Sequence, residues 1–336
     1  MLSYNAFFIP LAPYVITLIC LGAVLCIVVL WLAVSAVIAR KTLKMASAPV
    51  AHTFEQARRV QGDVEKQDFT DYDVNWKKQD FEIEGLHGKL RGEVVFNPCA
   101  SKRSKVAVIC HGHTWNRINS LKYATIFYNK GYNLVLYDHS YFGSSEGKFC
   151  TLGYYERVDL SRVIDFTRQT FGQNAFLALH GESMGAVTVL CELGVRGDID
   201  LVVADCPFSA TTEYYREVYE HTFHLPSFPV IEFCSHMAKR KYGYEFDKCR
   251  PIDDVKNSGV PICFIHGAAD KFIFPHHSEK MFAVCKNNLS ELHLVPDAGH
   301  ARSYLADNDG YRKIVSDFLD KIEKVSLDVE STAAKN

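Results

Sequence analysis

The stretch FLALHGESMGA, residues 176–186, decides how this chain is read. Phe176–Leu179 is an apolar run of strand length, and Ala186–Val195 has the pattern of a helix. Between them stands Gly181-x-Ser183-x-Gly185. A serine on so sharp a strand-to-helix turn is strained and exposes its hydroxyl, while flanking glycines let neighbouring backbone come close. The free N–H groups of the helix that starts there face the same point and favour negative charge. Ser183 is therefore the expected nucleophile.

The same alternation continues on both sides. Phe81–Leu86 and Leu90–Phe96 alternate like a hairpin turned at His87-Gly88. Val106–Cys110, Leu134–Tyr137, Leu201–Ala204, Ile262–Ile265 and Leu292–Val295 are short buried strands. Ser120–Asn129, Tyr154–Phe171 and Tyr311–Val325 have helical spacing. Strands alternating with helices imply an α/β fold: a mostly parallel sheet covered by helices on both faces. This catalytic domain is expected over 79–325. Within it, 207–250 is too long and aromatic for one strand–helix unit and is broken by Pro226 and Pro229. A small helical cap is expected there, above the strand ends where ligands bind in open α/β sheets. Residues 46–78 are polar and acidic and read as a linker with one short helix near Thr53–Val60. The tail 326–336 is expected to be disordered.

A serine needs a general base. His300, in PDAGH (296–300) after the last strand, is the best placed. His266 ends an earlier strand and is given a structural role. The acid is expected after the strand before the last. Asp270, four residues past His266, fits; Asp205 is the runner-up, and Asp297 stands too near His300 in sequence. Two backbone N–H groups must face the tetrahedral oxyanion. One is expected at Met184, directly after the nucleophile. The other is expected at His113, in the loop after Val106–Cys110.

The chain has 336 residues, 48% hydrophobic and 23% charged, with a net charge of -2. Such a composition supports a substantial core and offers no basic excess for nucleic acid. Of the 11 cysteines, Cys20 and Cys26 lie in the N-terminal apolar segment. The remainder are odd in number and irregular in spacing, which fits reduced thiols. No metal or other cofactor is expected: His221 with His224, or His276 with His277, lack a cysteine or carboxylate pattern to complete a zinc site.

From Tyr14 to Ala39 no residue is charged, a length that crosses a hydrocarbon core of roughly 30 Å. Residues 1–45 are expected to be an uncleaved membrane anchor. Ala46-Ser47-Ala48 mimics a signal-peptide cleavage site, but the apolar run is too long for one, lacks preceding basic residues, and would leave Pro49 just past the cut. Arg40, Lys41 and Lys44 follow the span, which places the catalytic domain in the cytoplasm as a single-pass protein of the cell membrane.

HGHTWNR (111–117), YDHSYFGSSEG (137–147), GESMGA (181–186), ADCPFS (204–209), HGAAD (266–270) and PDAGH (296–300) occur in one order. Together they resemble the membrane-anchored bacterial α/β hydrolases related to the Bem46-like and serine aminopeptidase-like families. The resemblance covers about Phe81 to Leu319. It implies the α/β-hydrolase fold, the triad Ser183, Asp270 and His300, and an oxyanion hole at Met184 and His113. One departure is visible: relatives carry proline four residues after the acid, where this chain has Phe274, with Pro275 next. The expected activity is hydrolysis of a small-molecule or lipid-like carboxylic ester or thioester through an acyl-enzyme on Ser183. A peptidase or amidase with the same triad is the first alternative; a non-catalytic membrane-tethered binding protein on the same scaffold is the second.

Overall fold

The computed structural model describes residues 13–99 and 103–333. Among them eight strands form one sheet: β1 (Lys77–Glu84), β2 (Lys89–Phe96), β3 (Lys105–Cys110), β4 (Asn133–Tyr137), β5 (Phe176–Glu182), β6 (Leu201–Asp205), β7 (Ile262–Gly267) and β8 (Glu291–Val295). Their order is β1-β2-β4-β3-β5-β6-β7-β8. The β1–β2 hairpin and the β2–β4 pair are antiparallel; from β4 to β8 every pair is parallel. The helices are α1 (Pro13–Ser47), α2 (Phe54–Arg59), α3 (Leu121–Asn129), α4 (Glu156–Phe171), α5 (Met184–Glu192), α6 (Thr211–Glu217), α7 (Val230–Tyr242), α8 (Pro251–Asn257), α9 (His276–Ala283), α10 (Ser303–Ala306) and α11 (Asn308–Ala333).

Strands β4 to β7 are buried on both faces, which is why they read as unbroken apolar runs rather than alternating ones. One apolar cluster lies beneath α3 and α11, and a second on the opposite face beneath α4 and α5. A third cluster stands apart from both. It joins Met184 and Val187 of α5, aromatic residues of the 207–250 region, and Ala39, Leu43 and Ala46 of α1.

That third cluster changes the reading of the N-terminal half. Helix α1 is long and apolar enough to cross a membrane, with a mean hydropathy of 3.0 over its most apolar window. It does not end where the anchor was expected to end, at 45. Ser35, Ala39, Leu43 and Ala46, about one residue per turn, are buried, and α1 packs along α7. Small residues at Ser35 and Ala39 permit that close approach.

Residues 49–76 are likewise a packed strap and not a loose linker. Thr53 and Gln56 form a reciprocal cap at the start of α2. Gln61 is buried and donates to Asn119 Oδ1 at 2.7 Å. The Tyr72 hydroxyl donates to Glu93 at 2.6 Å, and Trp76 stacks on Tyr128 at 4.5 Å. Polar residues that look solvent-facing in sequence are paired against the domain. Helix α11 runs to Ala333, so the expected disordered tail is helical over 326–333; residues 334–336 lie outside the described residues, as do 1–12 of the expected anchor.

Candidate active site

Ser183 sits between β5 and α5 with φ 54° and ψ -115°, a left-handed strained conformation. Its N–H donates to the Asp205 carbonyl on β6 at 2.8 Å. The flanking glycines are required by space: a Cβ on Gly181 would lie 2.2 Å from the Gly185 carbonyl oxygen, and one on Gly185 2.2 Å from the Cys110 carbonyl oxygen.

His300 follows β8, and the Ser183 hydroxyl lies 3.0 Å from its Nε2. His300 Nδ1 lies 2.8 Å from Asp270 Oδ2. A carboxylate only accepts, so Nδ1 carries the proton and Nε2 is left to accept from the serine. The other carboxylate oxygen of Asp270 accepts the N–H groups of Phe272 at 2.8 Å and Ile273 at 3.0 Å. Burial works to raise the Asp270 carboxyl, but hydrogen bonds from His266 and His300 and the backbone outweigh it and hold it well below the usual range. His266 is buried, with its ring bound to Ser278 and the Ile273 carbonyl and only 3.3 Å from Asp270. It buttresses the carboxylate from below.

Asp205 faces elsewhere. Its side chain approaches Tyr123, and burial together with the charge of Glu182 pushes it up to about 6. Asp297 is exposed. Of the three aspartates weighed from sequence, the structure brings only Asp270 to His300.

Met184 is the first residue of α5, so its N–H is among those that open the helix. The loop after β3 is held from several sides. His111 Nε2 accepts the His139 N–H at 3.0 Å, and its Nδ1 donates to the Gly112 carbonyl at 2.8 Å. His113 Nε2 donates to the Ala46 carbonyl of α1 at 2.9 Å, and burial pushes its imidazole below the usual pKa. The Thr114 carbonyl accepts the His52 N–H at 2.8 Å, while His52 stacks on Trp115 at 4.0 Å. The loop expected to supply the second oxyanion donor is thus tied to both α1 and the strap. Phe272, 44% exposed, lies 5.0 Å from the His300 ring. At the position where a proline was expected, Phe274 stands beside His221 at 5.3 Å.

Sequence reading missed the support beneath the serine. Glu182 is buried and accepts from Lys122 at 2.9 Å, Asn119 at 2.9 Å and Tyr123 at 2.5 Å. Burial works against both charges, yet the pairing holds Glu182 below and Lys122 above their usual values. The available signal was a lone lysine in the otherwise apolar start of α3. Glu217 also stands against His276 and His277, each at 2.9 Å, so a carboxylate does complete a cluster there. Hydrogen bonds account for the protons of the buried pair: His277 Nδ1 accepts the Ser209 N–H and its Nε2 donates to Glu217. That cluster ties α6 to α9.

A strained serine, a histidine and a carboxylate at the carboxyl ends of this sheet define a serine-hydrolase-type α/β hydrolase. The chain belongs to the prolyl oligopeptidase family, which it matches over residues 151–325. It is 34% identical over 217 residues to the protein YqkD of Bacillus subtilis, covering 64% of this chain and 71% of that one. Among solved structures, the Pyrococcus furiosus esterase Pf2001 superimposes with a TM-score of 0.61 at 21% identity, covering 76% of this chain and 96% of that one. The Pyrococcus horikoshii acylaminoacyl peptidase does so at 0.55 and 13%, covering 74% and 42%. At these identities the two structures speak for the fold.

Proposed function

We propose that this chain is a membrane-anchored serine hydrolase that cleaves carboxylic esters or thioesters, in keeping with its resemblance to the anchored Bem46-like hydrolases. The observation that carries this reading is the hydrogen-bonded series Ser183–His300–Asp270 at the turn into α5. Ser183 Oγ attacks the acyl carbonyl as His300 Nε2 takes its proton. Asp270 holds the imidazole in the required tautomer and stabilises its charge. The N–H groups of Met184 and His113 bind the oxyanion. The bond to the leaving oxygen or sulfur breaks, and His300 hands that group the proton. Water then repeats the sequence on the acyl-enzyme and releases the acid. The region 207–250 is the cap of this site.

Helix α1 is the anchor, retained in the mature protein. Cleavage after Ala48 would strip Ala39, Leu43 and Ala46 out of a buried cluster. The domain lies in the cytoplasm, supported by Arg40, Lys41 and Lys44 after the span and by eleven cysteines that are all free thiols. The family match favours a second reading, a peptidase or amidase with the same triad. Labelling by a fluorophosphonate, expected in the full chain and lost in Ser183→Ala, tests the nucleophile. Hydrolysis of matched ester, thioester and amide substrates then separates the two readings. A folded full chain that never labels would overturn both.

A further inference from the structure

The cap carries an apolar tip whose place is set by α1. Residues 221–226 are exposed throughout, and Phe223, Leu225 and Phe228 are 53%, 45% and 61% exposed. From His221 to Ile231 no residue is Asp, Glu, Lys or Arg. Three large apolar side chains displayed together on a loop are costly in water and call for a cover.

One of the three touches the neighbouring helix. Phe228 lies 6.1 Å from Trp31 of α1, and the Cys234 thiol donates to the Ala39 carbonyl at 3.3 Å. From Trp31–Phe228 to Ala39–Cys234 the contacts advance together along α1 and along the chain from 228 into α7, so α7 runs parallel to α1 with Phe228 at the level of Trp31. Tyr219, at the root of the tip, is hydrogen-bonded to Thr42 further along α1. If the span ends at Val37, Trp31 lies six residues, about 9 Å, inside the apolar stretch; if it begins at Tyr14 and uses about 20 residues, it ends at Ala33 and Trp31 lies about 3 Å inside. Either placement puts Phe228 at the shallow depth of an interfacial element.

Charge follows the same order. Arg40, Lys41 and Lys44 on α1 and Lys239, Arg240 and Lys241 on α7 are exposed, further along the chain than Trp31 and Phe228. An apolar tip below a basic collar matches a leaflet with an anionic surface. The cap also reaches the site: His300 contacts Phe272, which contacts Tyr214 of α6 at 5.8 Å, and α6 continues through 218–222 into the tip.

We infer that the tip at 221–229 is a second, shallow membrane contact in the leaflet beside α1, and that the substrate is a long-chain acyl ester resident in that leaflet. The inference rests on the anchored-hydrolase reading. The tip side chains serve to seat the cap in lipid, while the chemistry stays at Ser183.

The test uses the full chain in vesicles of phosphatidylcholine and phosphatidylglycerol. Two esters are compared: a short-chain water-soluble one, and a long-chain one dispersed in the vesicles. The triple variant Phe223→Ser, Leu225→Ser, Phe228→Ser is expected to keep kcat/KM on the soluble ester within twofold and to lose at least tenfold on the vesicle-borne one. Depth is read separately. With Cys20, Cys26 and Cys99 changed to serine, an environment-sensitive fluorophore on Leu225→Cys should be quenched by spin-labelled acyl chains and shielded from iodide. Quenching by iodide alone overturns the membrane contact, as does concentration-dependent crosslinking at this position, which assigns the tip to a second copy. Equal loss on both esters, or on neither, overturns the leaflet substrate. A wild-type chain inactive on the soluble ester would sink the hydrolase reading while the depth measurement still decides the tip.

Discussion

Removing α1 should do more than delete the proposed membrane anchor. Consider two truncations, one starting at Val34 and one starting at Ala48. The longer keeps the docked turns of α1. The shorter removes Leu43, Ala39 and Ala46 from the third cluster, together with the carbonyls that accept from His113, Cys150 and Cys234. Burying a leucine is worth about 2–3 kcal/mol and each alanine methyl about 0.8 kcal/mol. The hydrogen bonds add about 1 kcal/mol each, less where water replaces them. The shorter chain should therefore lose about 5 kcal/mol. At roughly 2–4 °C per kcal/mol for a domain of this size, its Tm should fall by about 10–20 °C. Activity should fall further than stability alone requires, because His113 loses the partner that fixes its loop. If His113 is the proposed second oxyanion donor, displacing it should cost about 10²-fold or more in kcat. Both chains are compared in the same non-ionic detergent, by thermal melting and by kcat on a soluble ester well below either Tm. If the chain starting at Ala48 melts within 3 °C of the longer one and turns over within twofold of it, the docked turns of α1 are not part of the catalytic domain.

Asp270→Asn should lower kcat by about 10⁴-fold, the order seen when an amide replaces the triad acid elsewhere, while Asp205→Asn should cost less than tenfold; the reverse order, on proteins of matched Tm, would move the acid to β6. Lys122→Met should destabilise by about 3–5 kcal/mol in urea unfolding because it leaves Glu182 charged and buried, and adding Glu182→Gln should recover part of that loss; no recovery would deny the pairing. Glu192 is held up to about 7, first by burial, against an ordinary 4.5. The fold prefers its neutral form, so this group's contribution is full below about pH 4.5 and is lost as pH rises to about 7. Glu192→Gln should therefore gain up to roughly 3 kcal/mol over the wild type between pH 5 and pH 8. An equal Tm difference at both pH values would contradict it.

What was legible in the sequence was what local pattern controls. Ser183 could be found because strand, turn and helix are adjacent in the chain, and His300 because it follows the last strand. That strand, expected to be buried, is a half-exposed edge with only Val295 buried. Asp270 could be ranked above Asp205 by order alone, but only the fold shows that Asp205 turns its carboxyl toward Tyr123. The strap was illegible because Gln61 and Tyr72 are polar, and polarity is judged from sequence as exposure; partners 58 and 21 residues away cancel the cost of burying them. Lys122 and Glu182 were missed for the same reason, each looking like surface until the other is placed. The docking of α1 was hidden in a different way. Ser35 and Ala39 are unremarkable inside an apolar run, and their spacing becomes a signal only against α7. Helix α11 was cut short because 326–336 offers little apolar periodicity, though the helix continues to Ala333.

The buried stripe at Ser35, Ala39, Leu43 and Ala46 makes α1 a phased coupling. One residue inserted between Trp31 and Ser35 would turn the N-terminal half of α1 by about 100° and shift it by only about 1.5 Å along its axis. Trp31 would then swing away from Phe228. An insertion of seven residues would nearly restore the angle and shift that half by about 10 Å. Rotation and axial position can thus be set separately in this chain. A foreign transmembrane segment grafted before residue 35 would carry the domain correctly only when its length preserves the helical phase, however hydrophobic it is.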